Sequence, residues 1–151
     1  MTLLDQVKAQ AQVLVPLVKA LQEKLGEEKA NAIVREALGE LFRGYGDKWW
    51  RAQKTESGLG ERMASAFRDF GAGGALDYEV KKSTPDAFDV DVTGCRYAEF
   101  YKKIGAPELG FLLVCRADFD LAKGYGSPVE LKRTQTIMQG GSHCDFRYRK
   151  G

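Results

Sequence analysis

No stretch of this chain approaches the ~20 consecutive apolar residues that a membrane-spanning helix requires. The opening Met1 to Pro16 shows neither the basic start nor the small-residue cleavage site of a secretory leader. Charge of one sign is equally scarce, with 23 Lys and Arg against 21 Asp and Glu. Proteins that hold nucleic acid through its phosphates concentrate positive charge, so neither nucleic acid nor a membrane is expected as a partner. The three cysteines are an odd number, which excludes a complete disulfide framework. A cytoplasmic protein with reduced thiols is the expectation. Histidine occurs once, and neither C-x-x-C nor H-x-x-x-H spacing is found, so no short-range zinc motif exists. The glycines at 58, 60, 71, 73 and 74 do not follow a strand and open a helix, as a phosphate loop must.

A length of 151 residues fits one domain, 1–151, able to bury a core without covalent staples. Its first part, 1–72, reads as helical. Leu3, Val7, Leu14, Val18, Leu21 and Leu25 recur at helical spacing, with a kink or break expected at Pro16. Gly26 followed by Glu27 and Glu28 marks a stop and a new acidic first turn. The second helix runs through Ile33, Val34, Ala37, Leu38, Leu41 and Phe42, and Gly44 and Gly46 are candidate breaks. Thr55, Glu56 and Ser57 offer caps for a third helix, Leu59 to Phe70, ended by Gly71, Gly73 and Gly74.

In the second part, 73–151, the period changes. Phe88, Val90 and Val92 alternate with Asp89, Asp91 and Thr93, the mark of a half-buried strand. A short helix is expected over 96–104, another from Pro107 to about Ala122, and a turn at Gly124, Gly126 and Pro128. Val129 to Met138 alternates again and predicts a strand. Gly140 and Gly141 permit a reversal into a last strand with Cys144, Phe146 and Tyr148 on one face. The plan is α+β: a helical N-terminal half followed by a small, mainly antiparallel sheet packed with helices.

Groups able to do chemistry gather in this second part. Cys95 follows Gly94 at a strand end and precedes a helix, whose first N–H groups can lower a thiol pKa. Cys115 and Asp118 form a C-x-x-D unit, and one helical turn separates them. Cys144 lies between His143 and Asp145. On a regular strand those two share one face and Cys144 takes the other, so adjacency does not establish a Cys–His pair. His143 with Asp145 at i, i+2 can orient an imidazole as a base. The bland alternative for each thiol is a small core hydrophobe. Arg133 shares a strand face with Leu131 and Ile137, so a buried guanidinium there requires an anionic partner, internal or substrate-borne. Thr134 and Thr136 flank it on the opposite face, where strand propensity alone explains them. Asp89 and Asp91 read as a solvated strand face. Trp49, Trp50 and the tyrosines at 45, 97, 101 and 125 could line a pocket, though most of them read as packing residues.

The run Cys95-Arg-Tyr-Ala-Glu-Phe-Tyr101, then Gly105-Ala-Pro-Glu-Leu-Gly110 and Cys115-Arg-Ala-Asp118, resembles the L-2-amino-thiazoline-4-carboxylic acid hydrolase family. Arg133-Thr-Gln-Thr-Ile-Met138, Gly140-Gly141 and His143-Cys-Asp-Phe-Arg147 add to the likeness, which covers about residues 88–148. It implies a hydrolase that opens a cyclic amidine such as 2-amino-thiazoline-4-carboxylate to N-carbamoyl-cysteine, cleaving a C–N or C–S bond. Two attacks are open: a thiolate of Cys95, Cys115 or Cys144, or a water activated by His143 or Asp118, with Asp145 as a further acid/base group. Arg133, with Thr134 and Thr136, is the expected holder of the substrate carboxylate.

Two other readings use the same residues. One is a zinc-assisted hydrolase, although no cofactor is the preferred expectation. The other is a non-enzymatic module that binds a small ligand or a metal. A small molecule is the expected partner, and a homo-oligomer stays open. The metal-free hydrolase reading requires Cys95, Cys115, Asp118, His143, Cys144 and Asp145 to converge on one pocket, and the zinc-assisted one uses two or three of them as ligands.

Overall fold

The structure is a computed structural model that describes residues 1–126 and 129–151. It is α+β, a helical first half followed by a four-stranded antiparallel sheet packed with helices.

Helix α1 spans Leu3–Leu25 and opens with a reciprocal cap, in which Thr2 Oγ1 accepts from the Asp5 N–H while Asp5 accepts from the Thr2 N–H. Pro16 does not divide it into two shorter helices, one of the two outcomes expected there. Pro16 and Gln12, whose carbonyl loses its helical donor, both sit on the exposed face, where water can serve that carbonyl. Helix α2 spans Glu27–Arg51 and passes straight through Gly44 and Gly46. Gly46 is there for a tertiary reason: a Cβ at this position would collide with the Leu121 carbonyl.

Helix α3, Leu59–Phe70, starts without a side-chain cap, so Thr55, Glu56 and Ser57 do not play the expected role. Its first N–H, that of Leu59, donates to the Pro85 carbonyl at 2.9 Å. Buried Arg62 gathers the loop before it, donating to the carbonyls of Trp50, Lys54 and Ser57 while lying 4.1 Å over the Trp50 ring.

After a short turn at Ala72–Gly74 come β1, Leu76–Thr84, and β2, Ala87–Cys95. Helix α4, Arg96–Lys103, follows directly. The single helix expected from Pro107 is instead α5, Pro107–Gly110, a π turn over Phe111–Cys115, and α6, Ala117–Gly124. The Arg116 N–H reaches back five residues to Phe111 O at 3.0 Å. Pro128, part of the expected turn after α6, lies outside the described residues.

Strand β3 covers only Val129–Lys132 rather than running to Met138, and β4 covers Cys144–Lys150. The sheet order is β1-β2-β4-β3. Beyond Lys132 the ladder yields to a side chain: Asp145 Oδ1 accepts from the backbone N–H groups of Thr134 (2.8 Å) and Gln135 (3.0 Å). The chain then turns, with Gly140 N–H on Ile137 O and Gly141 N–H on Thr136 O.

Two apolar clusters result. In one, Phe67 of α3 packs against Phe88, Phe146 and Tyr148 on the inner face of the sheet. In the other, Val15 and Val18 of α1 join Val34, Tyr101, Leu109 and Leu113. The partly buried Cys95 packs against both.

Candidate functional site

A cavity of about 470 Å3 lies at the seam of the two clusters, with Phe67, Val92 and Phe146 on one wall and Leu14, Tyr101 and Leu113 on the other. Cys95, Cys115, Cys144, Asp118, Arg133 and Thr136 all line it. The three thiols and Asp118 each arrive by a different element. Cys144 is the first residue of β4 and faces Val92 across the β2–β4 ladder. Cys95 closes β2 and caps α4, its Sγ accepting from the Ala98 N–H at 3.4 Å. Cys115 ends the π turn, and Asp118 sits in the first turn of α6.

The charged centre is a pair. Arg133 Nη1 donates to Asp118 Oδ2 at 2.8 Å, and both Nη1 and Nη2 donate to the Cys115 carbonyl at 3.2 Å. The guanidinium lies between aromatic rings, 4.9 Å from the centroid of Phe119 and 5.2 Å from that of Phe146. Its side chain is 3 % exposed, that of Asp118 20 %. Burial pushes the Asp118 carboxyl up to about 6 even though the Arg133 charge and hydrogen bond pull it down. Such a group changes protonation close to neutrality, which suits proton transfer.

The thiols are poised differently. Burial raises all three, Cys144 to about 11 and Cys115 well above its ordinary value. Cys95 is raised as well, because burial outweighs the N–H groups of Ala98 and Tyr97, so the expected lowering at the α4 start is not found. At neutral pH the cavity thus presents three protonated thiols, all free. Among the described residues, no three His, Cys, Asp or Glu side chains are grouped so as to hold a metal ion.

The expected convergence of six residues is met by four. His143 and Asp145 do not line the cavity. On β4 the parity that turns Cys144 inward turns Asp145 away, whereas His143 lies in the bend just before the strand. His143 Nδ1 lies 2.9 Å from Ser142 Oγ. Asp145 braces the 133–135 segment and also accepts from Thr134 Oγ1. Burial works against its charge, but the donors of Thr134 and Gln135 prevail and hold its carboxyl below the usual range. Thr134 is exposed, whereas Thr136 is buried and holds Gln139 through its hydroxyl. Asp89 and Asp91 pair with Arg149 and Arg147.

Sequence reasoning did not place α1 at the site, yet Leu3, Gln6, Val7, Gln10 and Leu14 line the cavity. Their i, i+3, i+4 spacing was the available signal, though core helices share it. Tyr101 is one of the aromatics named from the sequence as able to line a pocket. It is 1 % exposed and lines the cavity. Its hydroxyl donates to no described residue.

The family described as L-2-amino-thiazoline-4-carboxylic acid hydrolase matches residues 6–148, nearly the whole chain. None of the curated proteins matches by sequence. Among solved structures, the chain is similar to the phenol-responsive sensory domain of the transcription activator PoxR bound to phenol. The two are 10 % identical with a TM-score of 0.52, over 91 % of this chain and 72 % of that one. It is also similar to a trafficking protein particle complex subunit 3 from Naegleria fowleri covalently bound to palmitic acid. There the identity is 11 % and the TM-score 0.53, over 95 % and 96 % of the two chains. At such identities these likenesses speak for the fold alone.

Proposed function

Since the chain belongs to the L-2-amino-thiazoline-4-carboxylic acid hydrolase family, we propose that it is a hydrolase opening a small carboxylate-bearing cyclic amidine in the cavity between its two apolar clusters. The observation that carries this reading is the Asp118–Arg133 pair on the cavity wall, with the Asp118 carboxyl pushed up to about 6. Asp118 acts as the general base and then the general acid, and Arg133 orients the substrate carboxylate.

The chemistry balances with one water. The amidine enters protonated, and the water oxygen bonds to the carbon between ring nitrogen and ring sulfur while Asp118 accepts one of its protons. The π pair moves to the ring nitrogen. The intermediate collapses to a carbonyl, releases the hydroxyl proton to solvent and breaks the carbon–sulfur bond. Asp118 returns its proton to the departing sulfur, giving the N-carbamoyl thiol. Protonated thiols at Cys95, Cys115 and Cys144 favour this water route over thiolate attack.

The test is hydrolysis of 2-amino-thiazoline-4-carboxylate followed by release of free thiol. Wild type should turn over, and Asp118→Asn should lose about 10²- to 10⁴-fold in kcat, the usual worth of a positioned acid/base group. Undiminished turnover in Asp118→Asn removes that role.

A second reading is favoured by the largely apolar walls formed by Leu14, Phe67, Leu113 and Phe146. It is a non-catalytic small-ligand module, consistent with a fold like that of a phenol-responsive domain. Saturable ligand binding without any thiol release distinguishes it.

A further inference from the structure

The residues that line the cavity while remaining exposed mark where it meets solvent. They are Leu3 (37 % exposed), Gln6 and Gln10 on α1, Tyr45 (52 %) on α2, and Asp69 near the end of α3. The mouth therefore opens between the first turns of α1 and the helices facing it. The ion pair, the thiols and the Tyr101 hydroxyl lie on the buried side. Between them the walls are apolar: Val7, Leu14, Phe42, Trp49, Phe67 and Leu113.

Size adds a second constraint. A cavity of about 470 Å3 corresponds to roughly fifteen waters at ~30 Å3 each. A single five-membered ring with two small substituents displaces only about a third as much. Left alone in this space, such a ring would leave the apolar walls in contact with water, at a free-energy cost proportional to their area.

The inner end supplies the polar partner. Arg133 uses Nη1 on Asp118 and shares Nη1 and Nη2 on the Cys115 carbonyl, while its Nε–H donates to no described residue. Arg133 lines the cavity, and its Nε–H is the guanidinium donor without a described partner. The Nε–Nη2 edge of a guanidinium is one of its two bidentate carboxylate faces. Tyr101, whose hydroxyl donates to no described residue, lines the same space.

We propose that the natural occupant is an anionic amphiphile: a carboxylate held on the free edge of Arg133, with an apolar extension running along α1 toward the mouth at Leu3 and Tyr45. This deepens the assignment of the cavity as the substrate site and rests on it. The substrate class becomes carboxylate-bearing rings that carry a hydrophobic substituent, with the bare ring as the smallest and most weakly held member.

The test separates binding from turnover. Calorimetric titration of the full chain with butanoate, hexanoate and octanoate should show affinity rising about fourfold per added methylene, the worth of burying one CH₂ group. Octan-1-ol should bind more weakly than octanoate, and Arg133→Met should reduce octanoate binding to that of the alcohol while leaving the alcohol unchanged. If Arg133→Met does not fold, the wild-type comparison of octanoate with octan-1-ol still decides. Affinity independent of chain length, or equal for acid and alcohol, overturns the proposal. Turnover of 2-amino-thiazoline-4-carboxylate combined with a flat chain-length series leaves the hydrolase reading and removes this one. The expected series without any thiol release does the reverse.

Discussion

Arg133 donates to the Asp118 carboxylate at 2.8 Å, from a side chain only 3 % exposed, and the pair lines the one cavity that also holds all three thiols. A buried pair of this kind is weak support for stability, because desolvation offsets the attraction. Here desolvation prevails on the acid side, since the Asp118 carboxyl stands at about 6 instead of 3.8 despite the adjacent cation.

The first prediction follows from that sign. A carboxyl raised in the folded state gives stability that is fully present below the unfolded value of 3.8 and lost as pH rises through about 6. Two pKa units correspond to about 3 kcal/mol. Relative to wild type, Asp118→Asn should therefore gain about 3 kcal/mol of unfolding free energy between pH 4 and pH 7 while losing activity. Urea unfolding at both pH values measures it, and a pH-independent difference would contradict it. A variant that is more stable but inactive is the expected signature of a strained functional group.

The opposite sign is expected at Asp145. Its carboxyl is held low by Thr134 and Gln135, so its contribution is present above 3.8 and fades as pH falls below that value. Asp145→Ala strips acceptors from two backbone N–H groups and one hydroxyl. A loss of about 2 kcal/mol at pH 7 is expected, with accelerated amide exchange over 133–136. Unchanged exchange there would show that the segment does not depend on this carboxylate.

Much of the fold was legible in short-range pattern. The apolar spacing of α1, the Gly26 stop, and the alternation of Phe88, Val90 and Val92 match the elements observed. Strand β1 was overlooked although Leu76, Tyr78 and Val80 alternate with Asp77, Glu79 and Lys81, because an edge strand with a mostly exposed face carries a faint signal. The short β3 was illegible, since Asp145, eleven residues from Thr134, replaces the ladder bonds. At the site, Cys95, Cys115, Asp118 and Cys144 converge as the chemistry of their neighbourhoods suggested. His143 drew attention by touching Cys144 in sequence, but it lies in the bend before β4 and does not line the cavity.

Helices α2 and α6 meet backbone to backbone, and glycine permits it from both sides. A Cβ on Gly46 would meet the Leu121 carbonyl, and one on Gly124 would meet the Arg43 carbonyl. Gly46→Ala and Gly124→Ala should each cost about 1–3 kcal/mol. Gly44 is exposed, with nothing within 4 Å of such a Cβ, so Gly44→Ala should stabilise by about 0.5–1 kcal/mol. Thermal unfolding of the three variants reads the contrast, and similar effects at all three would rule out the close approach.

Burial and raised pKa make the thiols sluggish. In native protein at pH 7.5, iodoacetamide should label all three more slowly than free cysteine, with rates rising as pH increases. Denaturation should release all three at once. Mass spectrometry resolves the sites, and rapid labelling of any one at neutral pH would mark a thiolate and reopen direct attack by that sulfur.

The most direct test of the account is the pH dependence of kcat/KM for hydrolysis of a carboxylate-bearing cyclic amidine. With Asp118 as the base, activity should climb with pH through a single ionisation near 6 and level off above it, and that limb should vanish in Asp118→Asn. A profile flat from pH 5 to 8, or one that rises only as the thiols ionise, would contradict the assignment.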